Sequence, residues 1–90
     1  MPSLFRIGPY TLYFWTGENG EPVHVHVAIR RPTKDATKIW LTASGGCTIA
    51  HNKGGIPPKD LRDVMQFIAI NHAYICSRWH ETMGECHFFC

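Results

Sequence analysis

The hydrophobic period of this chain changes once, at Pro57-Pro58. Ahead of those prolines, apolar residues tend to recur at every second position. Behind them, they recur at helical spacing. A strand turns alternate residues to opposite faces, whereas a helix gathers positions i, i+3, i+4 and i+7 on one face. The chain must therefore build a sheet first and a helix second. The strictest alternation is Val23–Ile29, VHVHVAI. Leu4, Phe5 and Ile7, then the aromatic run Tyr10–Trp15, then Thr37–Leu41, supply further strands. Gly8-Pro9, Thr16–Gly20 and the polar segment Arg30–Ala36 separate them, and Asn19-Gly20 suits a turn with positive φ. This spacing predicts an antiparallel meander with short connections. Cys47–Ala50, bracketed by Gly45-Gly46 and Asn52–Gly55, reads as a fifth, short strand or an ordered loop.

Pro57-Pro58 fits the first turn of a helix, where the missing N–H is no loss. Leu61, Val64, Met65, Ile68, His72, Ile75, Cys76 and Trp79 then form one apolar stripe, about six turns long. Asp60 and Asp63 suit the positive end of the macrodipole, and Gly84 is a natural stop. The tail ECHFFC is apolar and has no periodicity that assigns it to an element. A one-faced sheet and a one-striped helix bury each other most simply as two layers. The expected fold is α+β, an antiparallel sheet of about four strands packed against one long C-terminal helix. Ninety residues leave room for a single domain, 1–90.

Composition narrows the classes. A chain with 44% hydrophobic and 18% charged residues is not a disordered one. Its longest apolar runs fall far short of the roughly 20 residues that span a bilayer. The net charge of +2 does not by itself demand nucleic acid. MPSLFRIGPY lacks the apolar centre of a secretory signal. The expectation is a cytoplasmic chain in which Cys47, Cys76, Cys86 and Cys90 stay as thiols or bind metal.

Chemistry concentrates in two places. In Val23–Ile29 the valines share one face and His24 and His26 the other, about 7 Å apart along the strand. Two imidazoles at that spacing can converge on a metal or an anion, or act as an acid/base pair, or simply face water. The second place is the tail, where Cys86, His87 and Cys90 are zinc-type ligands at workable spacing, with His80 upstream. Arg30, Arg31 and Lys34 form a basic patch at the far end of the His24–His26 strand. His72 and Cys76 fall on the apolar helix stripe and read as core residues, and His51 lies in a Gly-rich loop. Phosphate-binding loops, dinucleotide fingerprints and hydrolase elbows are absent from the sequence.

The order of these pieces is specific. Met1, Pro2, Arg6 and Gly8 precede the aromatic Tyr13-Phe14-Trp15. Pro22, His24, Val25, His26 and Val27 form a P-x-H-V-H-V strand, and Lys38-Ile39-Trp40-Leu41 follow it. Lys59, Leu61 and Arg62 open the helix, and Trp79-His80-Glu81 close it. In this the chain resembles the small bacterial domain-of-unknown-function family 4160 over residues 1–81. The tail, 82–90, departs from the family, which usually stops sooner. The resemblance implies a cytosolic bacterial protein. It also implies a gene neighbour from another small family, numbered 2442, in an arrangement read as a toxin–antitoxin module. It strengthens a functional reading of His24 and His26.

Three functions are therefore expected. The first is a binding protein that meets its neighbour-encoded partner or nucleic acid through the His24/His26 face, with Arg30, Arg31 and Lys34 nearby. The second is a metal-independent ribonuclease, with His24 and His26 as acid and base and Arg31 stabilising phosphate charge. The third is a zinc module of His24, His26, Cys86, His87 and Cys90. No cofactor is required by the first two. The sheet's exposed edges also allow a homodimer.

Overall fold

Strict alternation in β3 (His24–Ile29) organises the sheet around it, because Val25 and Val27 can bury only if both neighbouring strands keep register. The computed structural model describes residues 3–18 and 20–90. The Met1-Pro2 start and Asn19 of the expected turn lie outside the described residues. β1 (Ser3–Ile7), β2 (Tyr10–Tyr13), β3, β4 (Thr37–Leu41) and β5 (Cys47–His51) form one antiparallel sheet in chain order. The meander is as expected, but the sheet has five strands rather than about four. Cys47–His51 pairs along β4, with an irregularity between Lys38 and Ile39 that accommodates the short edge strand.

The helical half differs more. It is two helices, α1 (Pro58–Ile70) and α2 (His72–Met83), instead of one. Asn71 separates them at φ −102° and ψ 18°. Its backbone N–H and its side-chain Nδ2 both donate to the Phe67 carbonyl, at 3.1 and 3.0 Å. A side chain that competes for the helix's own acceptors in this way disturbs the ladder. The Ile75 N–H donates to the Asn71 carbonyl at 3.0 Å, so the helix resumes at once. The apolar stripe crosses the break intact: Leu61, Val64 and Ile68 are buried in α1, and Ile75 and Trp79 in α2. Gly84 ends α2 in the left-handed region at φ 83°, its N–H donating to the His80 carbonyl at 2.8 Å.

The helices cover the face that carries Leu12, Phe14, Val23, Val25, Val27, Ile39 and Leu41. The opposite face is roofed by connections. The Arg30–Ala36 segment folds back so that Tyr13 Oη donates to the Thr33 carbonyl at 2.9 Å, and Tyr13, Ala28 and Ala36 form a small second core. Arg30 turns this corner with a left-handed φ of 67°. Its N–H is held by the Pro9 carbonyl at 2.8 Å, and its own carbonyl accepts from Thr11 Oγ1 at 2.6 Å.

The tail is fixed as well. The Val23 N–H donates to the His87 carbonyl and the Ala43 N–H to the Cys90 carbonyl, both at 2.9 Å. Phe89 stacks on Trp40, with ring centroids 5.0 Å apart and planes 9° apart, and Phe88 stacks on His72. Among the described residues no helix is long and apolar enough to cross a membrane.

Truncating a stripe residue should be costly. Ile75→Ala removes a fully buried side chain and is expected to lower stability by about 2–5 kcal/mol. Ile70→Ala, at a side chain 76% exposed, should change it by less than about 0.5 kcal/mol. Urea denaturation of the two variants at unchanged m-value checks the contrast.

Candidate functional site

His24 and His26 leave β3 on the face away from the valines, as the alternation requires. Their rings converge to a centroid distance of 4.9 Å. The residue that gathers them is Glu18, from the connection between β2 and β3. Its Oε2 lies 2.8 Å from His24 Nε2 and 3.1 Å from His26 Nε2. Its Oε1 accepts the Trp15 backbone N–H at 2.8 Å, so the whole carboxylate is held. His24 Nδ1 donates to the Pro22 carbonyl at 2.9 Å, since a carbonyl can only accept. His24 is fully buried, with Trp40 and Trp79 packed edge-on against it at 5.4 and 5.0 Å. The side chains of His26 and Glu18 keep 14% and 15% of their exposure.

Burial pushes the Glu18 carboxyl up, but the hydrogen bonds from His24, His26 and the Trp15 amide outweigh it and hold the group well below the usual carboxylate range. Glu18, His24 and His26 each offer one ligand atom, all within 4.8 Å of one another, and could hold a metal ion. In the sequence, Glu18 lies within the expected turn Thr16–Gly20. A carboxylate in the turn leading into an H-x-H strand was the available signal. Only the fold of that turn aims it inward.

A second feature crosses the same face. Strand register places Tyr13, His26, Lys38 and His51 side by side on β2, β3, β4 and β5. His26 stacks on Tyr13 at 5.4 Å. Lys38 Nζ sits 4.3 Å above the Trp40 ring and 2.9 Å from Glu21 Oε1. Burial, and then Lys53, Lys38 and His26, lower the proton affinity of His51. Positive groups therefore crowd this side of the sheet.

The other expected residues lie elsewhere. Arg30 follows His26 by four residues, roughly 13 Å along a strand. Arg30, Arg31 and Lys34 are exposed at that far end. Cys86, His87 and Cys90 are not part of the Glu18–His24–His26 group. Cys86 packs against the main core beside Cys76, whose thiol is pushed up to about 12 by burial and by Cys86. His87 and Cys90 are exposed. His72 is a partly buried histidine whose Nε2 donates to the Thr42 carbonyl at 2.7 Å. All four cysteines are free. A shallow concavity between the β1–β2 turn and α1, lined by Pro9, Tyr10, Asp60 and Asp63 among others, contains none of these histidines.

Residues 10–80 match the family model described as Domain of unknown function (DUF4160). The chain belongs to that family. The match takes in the whole Glu18–His24–His26 group and leaves out β1 and the Cys86–Cys90 tail of this DUF4160 chain. No curated protein matches it. No solved structure matches it either.

The depressed Glu18 carboxyl makes stability depend on pH in a fixed direction. A carboxyl with a lowered folded-state pKa stabilises the fold above its ordinary value of 4.5, and the contribution is lost as pH falls below that. The groups that face Glu18 are His24 and His26 on β3, with Tyr13 on β2 acting on it at longer range. Chelator-treated Glu18→Gln protein should be less stable than the native chain at pH 7. Its melting temperature should fall less steeply with pH below about 4.5. Melting curves of both proteins across the acid range test this.

Proposed function

We propose that this DUF4160 chain is a small cytoplasmic binding protein of a two-component, toxin–antitoxin-like pair. Its sheet face around His26, Lys38 and His51 receives an anionic group, and a nucleic-acid phosphate is the best fit. The supporting observation is the cross-strand row itself. Register brings His26, Lys38 and His51 together on adjacent strands, with Lys53 two residues beyond His51 in the chain. Trp15, 36% exposed, borders the row with aromatic surface and packs edge-on against the buried Tyr13. Lysine charge and imidazole N–H donors beside an exposed aromatic ring suit a phosphodiester strand, which offers charge and stacking together. Lys38 is held by Glu21, but that carboxylate is itself 44% exposed, so an incoming phosphate can exchange with it. Arg30, Arg31 and Lys34 would belong to a separate contact on this reading. A neighbour-encoded protein of the 2442 family would then be the regulator of that binding.

The ribonuclease reading draws less support from the geometry. A general acid or base must reach the substrate's proton. The His24 ring is fully buried, with both nitrogens engaged, and Arg31 is at the far end of the strand.

Fluorescence anisotropy with a labelled single-stranded RNA at low salt tests the proposal. The native chain should bind. His51→Ala with Lys53→Ala should weaken binding roughly tenfold and reduce the salt slope by about one. RNA binding that is undetectable at low salt, or unchanged in the double variant, would remove the reading.

A further inference from the structure

We propose that Glu18 Oε2, His24 Nε2 and His26 Nε2 form a site for one divalent transition-metal ion of the zinc class, with a fourth position open to solvent. The inference does not rest on the anion-binding reading, although His26 is common to both groups of residues.

The donor set comes first. Two imidazoles and one carboxylate are ligands that zinc and its neighbours accept, and three protein ligands leave a position for water. The three donor atoms lie within 4.8 Å of one another. His24 Nε2 and Glu18 Oε2 are 2.8 Å apart, and His26 Nε2 and Oε2 are 3.1 Å apart. Tetrahedral ligation with bonds of about 2.0–2.1 Å sets donor atoms roughly 3.4 Å apart, so the closer pair has to open by roughly half an ångström.

Orientation comes second. Metal-bound histidines usually donate their other ring N–H to a carbonyl or carboxylate, which fixes tautomer and aim. His24 does so, donating Nδ1–H to the Pro22 carbonyl. Glu18 is likewise aimed, because the Trp15 N–H takes Oε1 and leaves Oε2 for the histidines.

Charge comes third. The Glu18 carboxylate brings a negative charge to within 2.8 and 3.1 Å of the two Nε2 atoms, and a divalent cation held between the three donors would meet that charge at close range. The residual exposure of His26 and Glu18 leaves the fourth position accessible. The set differs from a tail-based one: Cys86, His87 and Cys90 take no part.

The test is a titration of the chelator-stripped native chain with Co²⁺ and, separately, with Zn²⁺. The expected result is one equivalent of Co²⁺ with visible d–d absorption and no thiolate-to-cobalt charge-transfer band. At a hundredfold excess over Kd, zinc should raise the melting temperature by roughly 10 °C or more. A Cys86→Ala, His87→Ala, Cys90→Ala triple variant should bind as the native chain does. Glu18→Gln and His26→Gln, shown folded by circular dichroism, should each lose at least about tenfold in affinity. A native chain with neither cobalt absorption nor a zinc-dependent melting shift would overturn the proposal. So would a thiolate charge-transfer band, or native affinity in folded Glu18→Gln. If the single variants fail to fold, the cobalt spectra and stoichiometry of the native chain and the tail variant decide.

Discussion

A fully buried imidazole with both nitrogens bonded is the constraint on which this structure turns. His24 would lose the hydration of two polar atoms on burial, a cost that stands unless each finds a partner. Pro22 supplies one through its carbonyl and Glu18 the other through its carboxylate. To do so, the connection between β2 and β3 must fold over the sheet, and the Trp15 N–H pins it there. Trp40 and Trp79 close the remaining sides. Residues of β3, β4 and α2 thus meet at one ring, although they are separated by up to 55 positions in the chain. Trp79 meets a cost of its own, because its buried Nε1 has no hydrogen-bond acceptor among the described residues. Its apolar surface, packed on Phe14 and His24, is what holds it there.

The two faces of the sheet follow different rules. One is covered by two amphipathic helices and is held by non-directional apolar burial, where the total volume and pattern matter most. The other is covered by connections and the tail, and is held by directed contacts: Tyr13 on Thr33, Glu18 on two histidines, Phe89 on Trp40. Directed contacts specify geometry, which is what a site needs. The left-handed Arg30 shows the accompanying strain, of about 1–3 kcal/mol, offset by hydrogen bonds to its neighbours.

That second face carries two kinds of chemistry side by side. The Glu18–His24–His26 group is compact, largely dry and charge-compensated. The His26–Lys38–His51 row is partly buried and gathers nitrogen donors from three adjacent strands, with Lys38 paired to Glu21. His26 belongs to both. Any ligand bound by one therefore changes the electrostatics of the other, and their affinities are linked.

The sequence by itself determined the order of strands and helix, because period two and period 3.6 are local properties that survive without tertiary contacts. It determined that Val23, Val25 and Val27 share one face of the strand and His24 and His26 the other, though not that His24 is fully buried against Trp79, and it placed Gly84 as the helix stop. It left Cys47–Ala50 undecided, since so short a run becomes a strand only when β4 offers it a partner. It did not reveal the break at Asn71, because asparagine's competition for the Phe67 carbonyl is weak enough that packing decides it. The site was half legible. His24 and His26 are neighbours in the chain, so their shared face follows from strand geometry. Glu18 reaches them only through a loop whose path no periodicity encodes. The tail cysteines looked like ligands by spacing, yet the core took Cys86. Tertiary structure alone settled which groups converge, because convergence depends on how loops fold back across a sheet, and that is set by contacts between distant residues.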